Sequence, residues 1–251
     1  MKEYDVFIIG SGMAGMTIAN KCAAQGLSVG ITDELPYGGT CALRGCDPKK
    51  VLIGATEALD HAKRLQGKGL EGVPSINWHD LMTFKKSFTE PMPSKIEKGY
   101  KKNGIEMFHS SAKFAGENQL IVGGYTIKAD KIVIATGAKP RTLGIPGGEH
   151  ALTSTDFLNL SHLPRSLVFV GGGYIAFEFA HIAARCGADV IIVHRGTSPL
   201  ENFEQDIVKH LVSATEDLGI QIVLNTEVTG ITKENDGNYQ VRGKGKDARH
   251  I

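Results

Sequence analysis

The stretch Tyr4-Asp5-Val6-Phe7-Ile8-Ile9-Gly10-Ser11-Gly12-Met13-Ala14-Gly15 decides the fold. A short apolar run breaks into a glycine loop, AGMTIANKCAAQG (14–26) continues as a helix ending at Gly26, and Ser28 to Asp33 (SVGITD) reads as a second strand. Two parallel strands joined by a helix require a right-handed crossover, which places the loop at the carboxyl edge of a sheet, where nucleotides bind. The first glycine permits the tight turn, the second lets backbone approach a pyrophosphate, and the third allows close helix–strand contact. The helix N-terminus attracts the phosphates. Asp33 stands eighteen residues past Gly15, close to the separation of about 20 at which an acid meets the ribose. Gly10, Gly12, Gly15 and Asp33 are therefore candidate nucleotide ligands.

A second unit of the same kind follows. Ser166 to Val170 is an apolar strand, Gly171-Gly172-Gly173-Tyr174-Ile175-Ala176 a second loop, Tyr174 to Arg185 a helix, and Asp189 to His194 (DVIIVH) the next strand. Two units predict an α/β protein with two Rossmann-like dinucleotide-binding domains, each on a parallel sheet, and two nucleotides. The segment AKPRTLGIPGGEH, rich in Pro and Gly, reads as the connection, dividing 1–150 from 151–251. Between the two loops the sequence predicts a helix from Pro48 to about Leu65 and one lysine-rich helix from about Trp78 to Lys102. Its Lys85, Lys86, Lys95, Lys98, Lys101 and Lys102 read as a solvated face, with a partner-binding patch as the alternative. The second strand of the later unit ends in His194-Arg195 with no carboxylate. An acid there accepts from an NADH ribose, whereas a basic pair suits a 2′-phosphate, so NADPH is expected ahead of NADH. The alternative is that both are exposed loop residues.

Composition narrows the partners. Lys and Arg number 28 against 27 Asp and Glu, so no broad field gathers nucleic acid or an anionic membrane, and neither is an expected partner. No run of 18 apolar residues occurs, and MKEYDVFIIG carries acid and turns into glycine before a secretion-type core is complete. The expectation is a soluble, cytoplasmic protein. Glycine fills 31 of 251 positions, above the usual share of about 7 per cent, which predicts many tight turns and close backbone approaches.

Four cysteines are too few for a disulfide scaffold at this length, and a close pair in a cytosolic chain is more often catalytic or metal-binding. Gly38-Gly39-Thr40-Cys41-Ala42-Leu43-Arg44-Gly45-Cys46-Asp47-Pro48-Lys49-Lys50 sets two cysteines at a helix start, with Pro48 in the first turn. The helix N-terminus and the nearby Arg44, Lys49 and Lys50 are expected to favour thiolate, the nucleophile of disulfide exchange. Metal binding is the rival, but no second CxxC or His cluster offers further zinc ligands, and no metal is expected. Cys22 and Cys186 read as packed thiols.

These stretches together, with Ala135-Thr136-Gly137 and GGGYIAFE at 171–178, resemble the class I pyridine nucleotide-disulfide oxidoreductases, a family that includes glutathione reductase, dihydrolipoamide dehydrogenase and mercuric reductase. The resemblance covers essentially the whole chain. It implies a route from NADPH to FAD, from flavin to a Cys41–Cys46 disulfide, and from the dithiol to a small-molecule or protein disulfide. Cys46 corresponds to the flavin-proximal thiol and Cys41 to the interchange thiol. Lys49 matches the lysine near the flavin, Glu178 its glutamate partner, and Tyr174 the aromatic that covers the flavin until nicotinamide arrives. Gly39, Thr40, Ala135, Thr136 and Gly137 fall in the motifs expected to contact FAD, and Gly171, Gly173 and Ile175 in those expected to contact the reductant.

Three departures stand out. Ala-Leu-Arg-Gly separates the cysteines where relatives have Val-Asn-Val-Gly, and Asp47 replaces an apolar residue. Asn20 occupies the place of an arginine that holds a glutathione carboxylate, so glutathione is not the expected substrate. The family further implies a flavin-contacting segment and a dimerisation domain with a His-x4-Glu motif, hence a homodimer of the full-length form. None of the nine histidines here has that context. The second nucleotide unit, ending in YQVRGKGKDARHI, reads as incomplete, and a chain stopping at Ile251 is expected not to complete turnover by itself. Dihydrolipoamide dehydrogenase-like or mercuric reductase-like variants keep the mechanism. A non-catalytic flavin-binding module, or a redox partner from a split gene, is the reading from another class.

Overall fold

A computed structural model describes residues 1–245; the last six residues of YQVRGKGKDARHI lie outside the described part. The chain forms two compact units, one built from 1–50 and 84–139, the other from 51–83 and from Pro140 onward. The crossing at 139–140 falls inside the Pro- and Gly-rich segment. Val51–Thr83, which the sequence reading counted with the first domain, groups with the second unit.

The first unit contains β1 (Lys2–Ile9), α1 (Met13–Ala24), β2 (Val29–Thr32), α2 (Gly39–Arg44) and the start of α3 (Cys46–Leu65). It resumes within α4 (Trp78–Thr89) and continues through α5 (Met92–Lys102), β3 (Glu106–Phe108), β4 (Ala112–Gly116), β5 (Gln119–Val122) and β6 (Tyr125–Ile134). Its six strands run in the order β3-β2-β1-β6-β5-β4, with β3, β2, β1 and β6 parallel and β5 and β4 antiparallel. Ile8 pairs with Ile31 on one side and Val133 on the other. Val6 and Ile8 pack with Ala19 and Tyr100, while Phe7 enters a second cluster with Phe108, Leu120 and Ile127. Burial on both faces explains why VFII is a continuous apolar run rather than an alternating one.

The single helix expected over 78–102 is two helices. Pro91 has no N–H to continue the ladder and caps α5 instead, at φ −75°. Lys86, Lys95, Lys98, Lys101 and Lys102 are exposed, in keeping with a solvated face. Lys85 departs from it: only 2 % exposed, its ammonium is held below its ordinary pKa chiefly by burial.

The second unit continues through a 3-10 turn (Gly148–His150), α6 (Ser154–Phe157), β7 (Ser166–Val170), α7 (Tyr174–Arg185), β8 (Asp189–Val193), α8 (Gln205–Glu216), β9 (Gln221–Val223), β10 (Thr226–Lys233) and β11 (Tyr239–Gly245). β7, β8 and β9 form a parallel sheet in that order, and β10 and β11 an antiparallel pair. Phe177, Ala180, Ile182 and Ala183 of α7 are buried with Leu52, Trp78, Met82 and Phe157, and Phe157 stacks on Phe179 at 4.5 Å.

A polar chain ties three helices of this unit. Thr215 Oγ1 donates to the Leu211 carbonyl (2.7 Å) and so accepts from His181 Nε2 (2.8 Å). Arg185 Nη1 donates to His181 Nδ1 (3.0 Å), and Arg185 Nε to Asp60 Oδ2 (2.6 Å). This pattern requires a neutral imidazole, and burial first, then the Arg185 charge, hold His181 below its ordinary pKa of 6.5. Because the unfolded chain takes the proton first, the stabilisation is complete above pH 6.5 and is lost as pH falls through the lower folded value. His181→Gln is expected to cost about 1–2 kcal/mol at pH 7.5 by breaking the chain, and to flatten the acid-side decline. Urea midpoints from pH 7.5 to 5 measure both; a parallel decline in wild type and variant would contradict this account.

Candidate functional site: two nucleotide loops and a cysteine pair

The three glycines of the first loop are required for different reasons. Gly10 has φ +103°, and a Cβ there would fall 2.3 Å from the Ala135 carbonyl, so the ATG triplet packs on the turn. A Cβ on Gly15 would fall 1.9 Å from the Gly10 carbonyl, inside the helix–strand contact. A Cβ on Gly12 would meet only the Gly39 Cα at 3.8 Å. Protein packing therefore does not demand Gly12, and the open space above the α1 N-terminus suits an approaching pyrophosphate. Ser11 donates from N (2.8 Å) and Oγ (2.7 Å) to Asp33 Oδ2, and Leu35 N donates to Oδ1 (2.9 Å). Asp33 thus anchors the loop, and three bonds leave a carboxylate with about four acceptor sites able to take a ribose hydroxyl. The residues fit the adenosine diphosphate part of a flavin dinucleotide.

The cysteine-bearing segment is built onto this loop. Gly38 N donates to Ser11 Oγ (3.3 Å), and a Cβ on Gly39 would fall 2.4 Å from the Gly12 Cα. Thr40 is exposed beside it. The cysteines occupy two helices rather than one helix start: Cys41 lies in α2 and Cys46 opens α3, separated by Gly45, whose Cβ would meet the Thr40 carbonyl at 2.9 Å. The two thiols interact with one another. Cys46 is exposed and Cys41 half-buried, although the interchange role that the resemblance implies for Cys41 asks for the more accessible thiol. The hydrogen bond to Cys46, then burial and the charges of Cys46 and Asp47, raise the Cys41 pKa above its ordinary value. The basic neighbours do not make Cys41 the acidic thiol, because its closest partners are another sulfur and a carboxylate. Lys49 follows one turn later on α3. Cys22 is packed against the first-unit core, and burial pushes the Cys186 thiol up to about 11. Asn20 donates to the Met16 carbonyl and accepts from Asn103 (2.7 Å).

The second loop repeats the design with one exchange. Gly171 has φ +112°, and its N–H bonds the Val193 carbonyl (2.8 Å). Gly173, at the α7 N-terminus, has nothing within 4 Å of a Cβ position, like Gly12 an open cradle. Gly172 N donates to His194 Nδ1 (3.1 Å) across the same 22-residue separation that joins Ser11 to Asp33. His194 takes the place of the loop-anchoring acid, a role the sequence reading missed. Arg195 is exposed, with no hydrogen bond or ion pair to the described residues. Tyr174 and Ile175 are also exposed, Tyr174 at 58 %. Tyr174 and Glu178 line a cleft of about 560 Å³ with Phe177, His181, Phe203 and Ile207. Ile175 is not among its lining residues. Among the described residues no group of three or more His, Cys, Asp or Glu is arranged to hold a metal ion, and no helix is long and apolar enough to cross a membrane.

Residues 4–251 match the family model described as pyridine nucleotide-disulphide oxidoreductase. The chain belongs to that family. It is 33 % identical over 242 residues to a glutathione reductase of Burkholderia cepacia, covering 92 % of this chain and 52 % of that protein. It is 34 % identical over 224 residues to a dihydrolipoyl dehydrogenase of Bacillus subtilis (strain 168), covering 86 % and 49 %. The Cu(II) complex of the HOCl-induced flavoprotein disulfide reductase RclA from Escherichia coli superimposes with a TM-score of 0.86 at 28 % identity, covering 100 % of this chain and 55 % of that one. The chain thus spans about half the length of these relatives. The family assignment agrees with the two nucleotide loops and the cysteine pair described above.

Proposed function

We propose that this chain is the flavin- and nucleotide-binding part of an FAD-dependent disulfide reductase that draws electrons from NADPH. The observation that carries the reading is the Gly12–Gly39 backbone contact, which seats the redox pair on the rim of a nucleotide loop. Gly10, Gly12, Gly15 and Asp33 would hold the adenosine diphosphate of FAD, and Gly39, Thr40, Ala135, Thr136 and Gly137 would flank the rest. Lys49 and Glu178 are proposed to act near the flavin. Gly171, Gly173, Tyr174, Ile175, His194 and Arg195 would hold the reductant. When bound, FAD exchanges electron pairs with a nucleotide and with a disulfide.

The chain's own chemistry is thiol exchange. Deprotonated Cys41 attacks one sulfur of R–S–S–R, forming a mixed disulfide and releasing one thiolate. Cys46 then attacks the Cys41 sulfur, releases the second thiolate and closes the Cys41–Cys46 disulfide. The substrate is reduced by two electrons and the pair oxidised by two, and a small-molecule or protein disulfide can serve. A homodimer of the full-length form, in the reducing cytosol, is the proposed setting.

The test is a thiol count. Oxidised chain supplied with FAD and one equivalent of NADPH is expected to gain two thiols, and neither reagent alone to suffice. No gain with both overturns the reading. The NADPH preference rests on Arg195, whose fork matches a phosphate in two directions. Arg195→Ala is expected to weaken NADPH binding about tenfold with little change for NADH, measured by titration calorimetry. Equal loss for both nucleotides would make Arg195 a structural residue.

A further inference from the structure

We infer that Glu201 restores a carboxylate to the ribose position of the second nucleotide loop, opposes a 2′-phosphate there, and thereby sets how strongly this chain prefers NADPH over NADH. The inference rests on the proposed reductant site and deepens it.

β2 leads into Asp33, whereas β8 leads into His194 and Arg195. In place of a carboxylate, His194 accepts the loop N–H at Nδ1, which leaves the single proton of the neutral ring on Nε2. That Nε2 is buried and has no hydrogen-bond partner. Glu201 Oε1 lies 3.5 Å from it, the nearest carboxylate oxygen to that N–H but not aligned as a hydrogen bond. A carboxylate absent from the strand end is thus supplied seven residues later in sequence.

The segment carrying it is pinned. Leu200 holds φ +53°, a conformation that is unfavourable for a bulky side chain, and its N–H bonds the Gly172 carbonyl (2.9 Å). The Gly196 carbonyl accepts from Asn225 N (3.0 Å), and the His194 carbonyl from Thr226 N (3.0 Å). Gly196 makes the close approach possible, since a Cβ there would fall 2.3 Å from Glu201 Oε1 and 2.6 Å from His194 Nε2. The Glu201 side chain is nevertheless 66 % exposed, so its free oxygen can meet an incoming ribose.

The two charged residues then act oppositely on one group. A ribose 2′-hydroxyl donates to Glu201, which favours NADH. A 2′-phosphate is attracted by Arg195 and repelled by Glu201, so the NADPH preference of the native chain is modest.

Titration calorimetry with NADPH and NADH, and with 2′,5′-ADP and 5′-AMP as probes of the adenosine half, tests this on the intact chain. Wild type is expected to bind both dinucleotides within about tenfold of each other. Glu201→Gln keeps size and an acceptor oxygen but removes the charge. It is expected to shift the NADPH:NADH affinity ratio about tenfold toward NADPH, with the same shift between the two probes and a smaller one in high salt. An unchanged ratio, or equal weakening of both dinucleotides, overturns the inference while leaving the reductant site standing. Failure of wild type to bind either dinucleotide overturns the site itself, and the inference with it.

Discussion

Mild oxidation of the wild-type chain is expected to remove two of its four thiols, and after either Cys41→Ser or Cys46→Ser all three remaining thiols are expected to survive as titratable groups. The reason is placement. Cys41 and Cys46 already interact across the Gly45 break, while Cys22 is packed in the first-unit core and burial pushes Cys186 up to about 11, so neither is a ready substitute. Loss of either member should lower disulfide reduction by at least about a thousandfold, because both sulfurs are needed to close the exchange. The pair also divides its labour in a measurable way. Limiting alkylation of the reduced, flavin-free chain should label exposed Cys46 before half-buried Cys41. Cys46→Ala removes the largest cause of the raised Cys41 pKa, so the pH profile of Cys41 alkylation should move to lower pH in that variant. Preferential labelling of Cys22 or Cys186, or a Cys41 profile that stays put, would defeat this account.

The contrast between the two cysteines shows where sequence reasoning reaches its limit. GSGMAG, GGGYIA and the strands around them were legible because a nucleotide loop is a local object: its glycines, helix and strand-end acid are fixed by spacing along one segment. The raised pKa of Cys41 was not legible, because it depends on which side chains its sulfur faces after Gly45 breaks the helix. Arg44, Lys49 and Lys50 are near in sequence, but the dominant neighbour of Cys41 is Cys46 itself. The same holds for Lys85, expected on a solvated face and found buried, whereas the helix break at Pro91 is a local signal, a residue with no N–H to continue the ladder. His194 and Glu201 meet only because Leu200 turns left-handed and Gly196 lacks a side chain, a juxtaposition that no spacing rule announces.

Gly12→Val is expected to abolish stoichiometric flavin retention while leaving the fold of the chain intact, a combination that separates ligand approach from protein packing. At Gly12 the backbone is at φ −70° and ψ −171°, ordinary for an L-residue, and a Cβ meets no protein atom closer than the Gly39 Cα at 3.8 Å. Substitution there should change stability by no more than about 1 kcal/mol. A bound pyrophosphate, however, needs that space to reach the N–H groups at the start of α1, and a branched side chain fills it. Flavin affinity should fall at least about a hundredfold, a loss of near 3 kcal/mol. Gly15→Val is the counter-case: its Cβ would lie 1.9 Å from the Gly10 carbonyl, so the helix cannot dock on β1 and the chain should lose several kcal/mol or fail to fold, as expected of severe overpacking. Gly173→Val should reproduce the Gly12 behaviour for the reductant in the second unit, since its Cβ position is equally open. Thermal unfolding and flavin absorbance of the purified variants measure both quantities at once. Retention of flavin by Gly12→Val, or unfolding of Gly12→Val to the same degree as Gly15→Val, would remove Gly12 from the binding site.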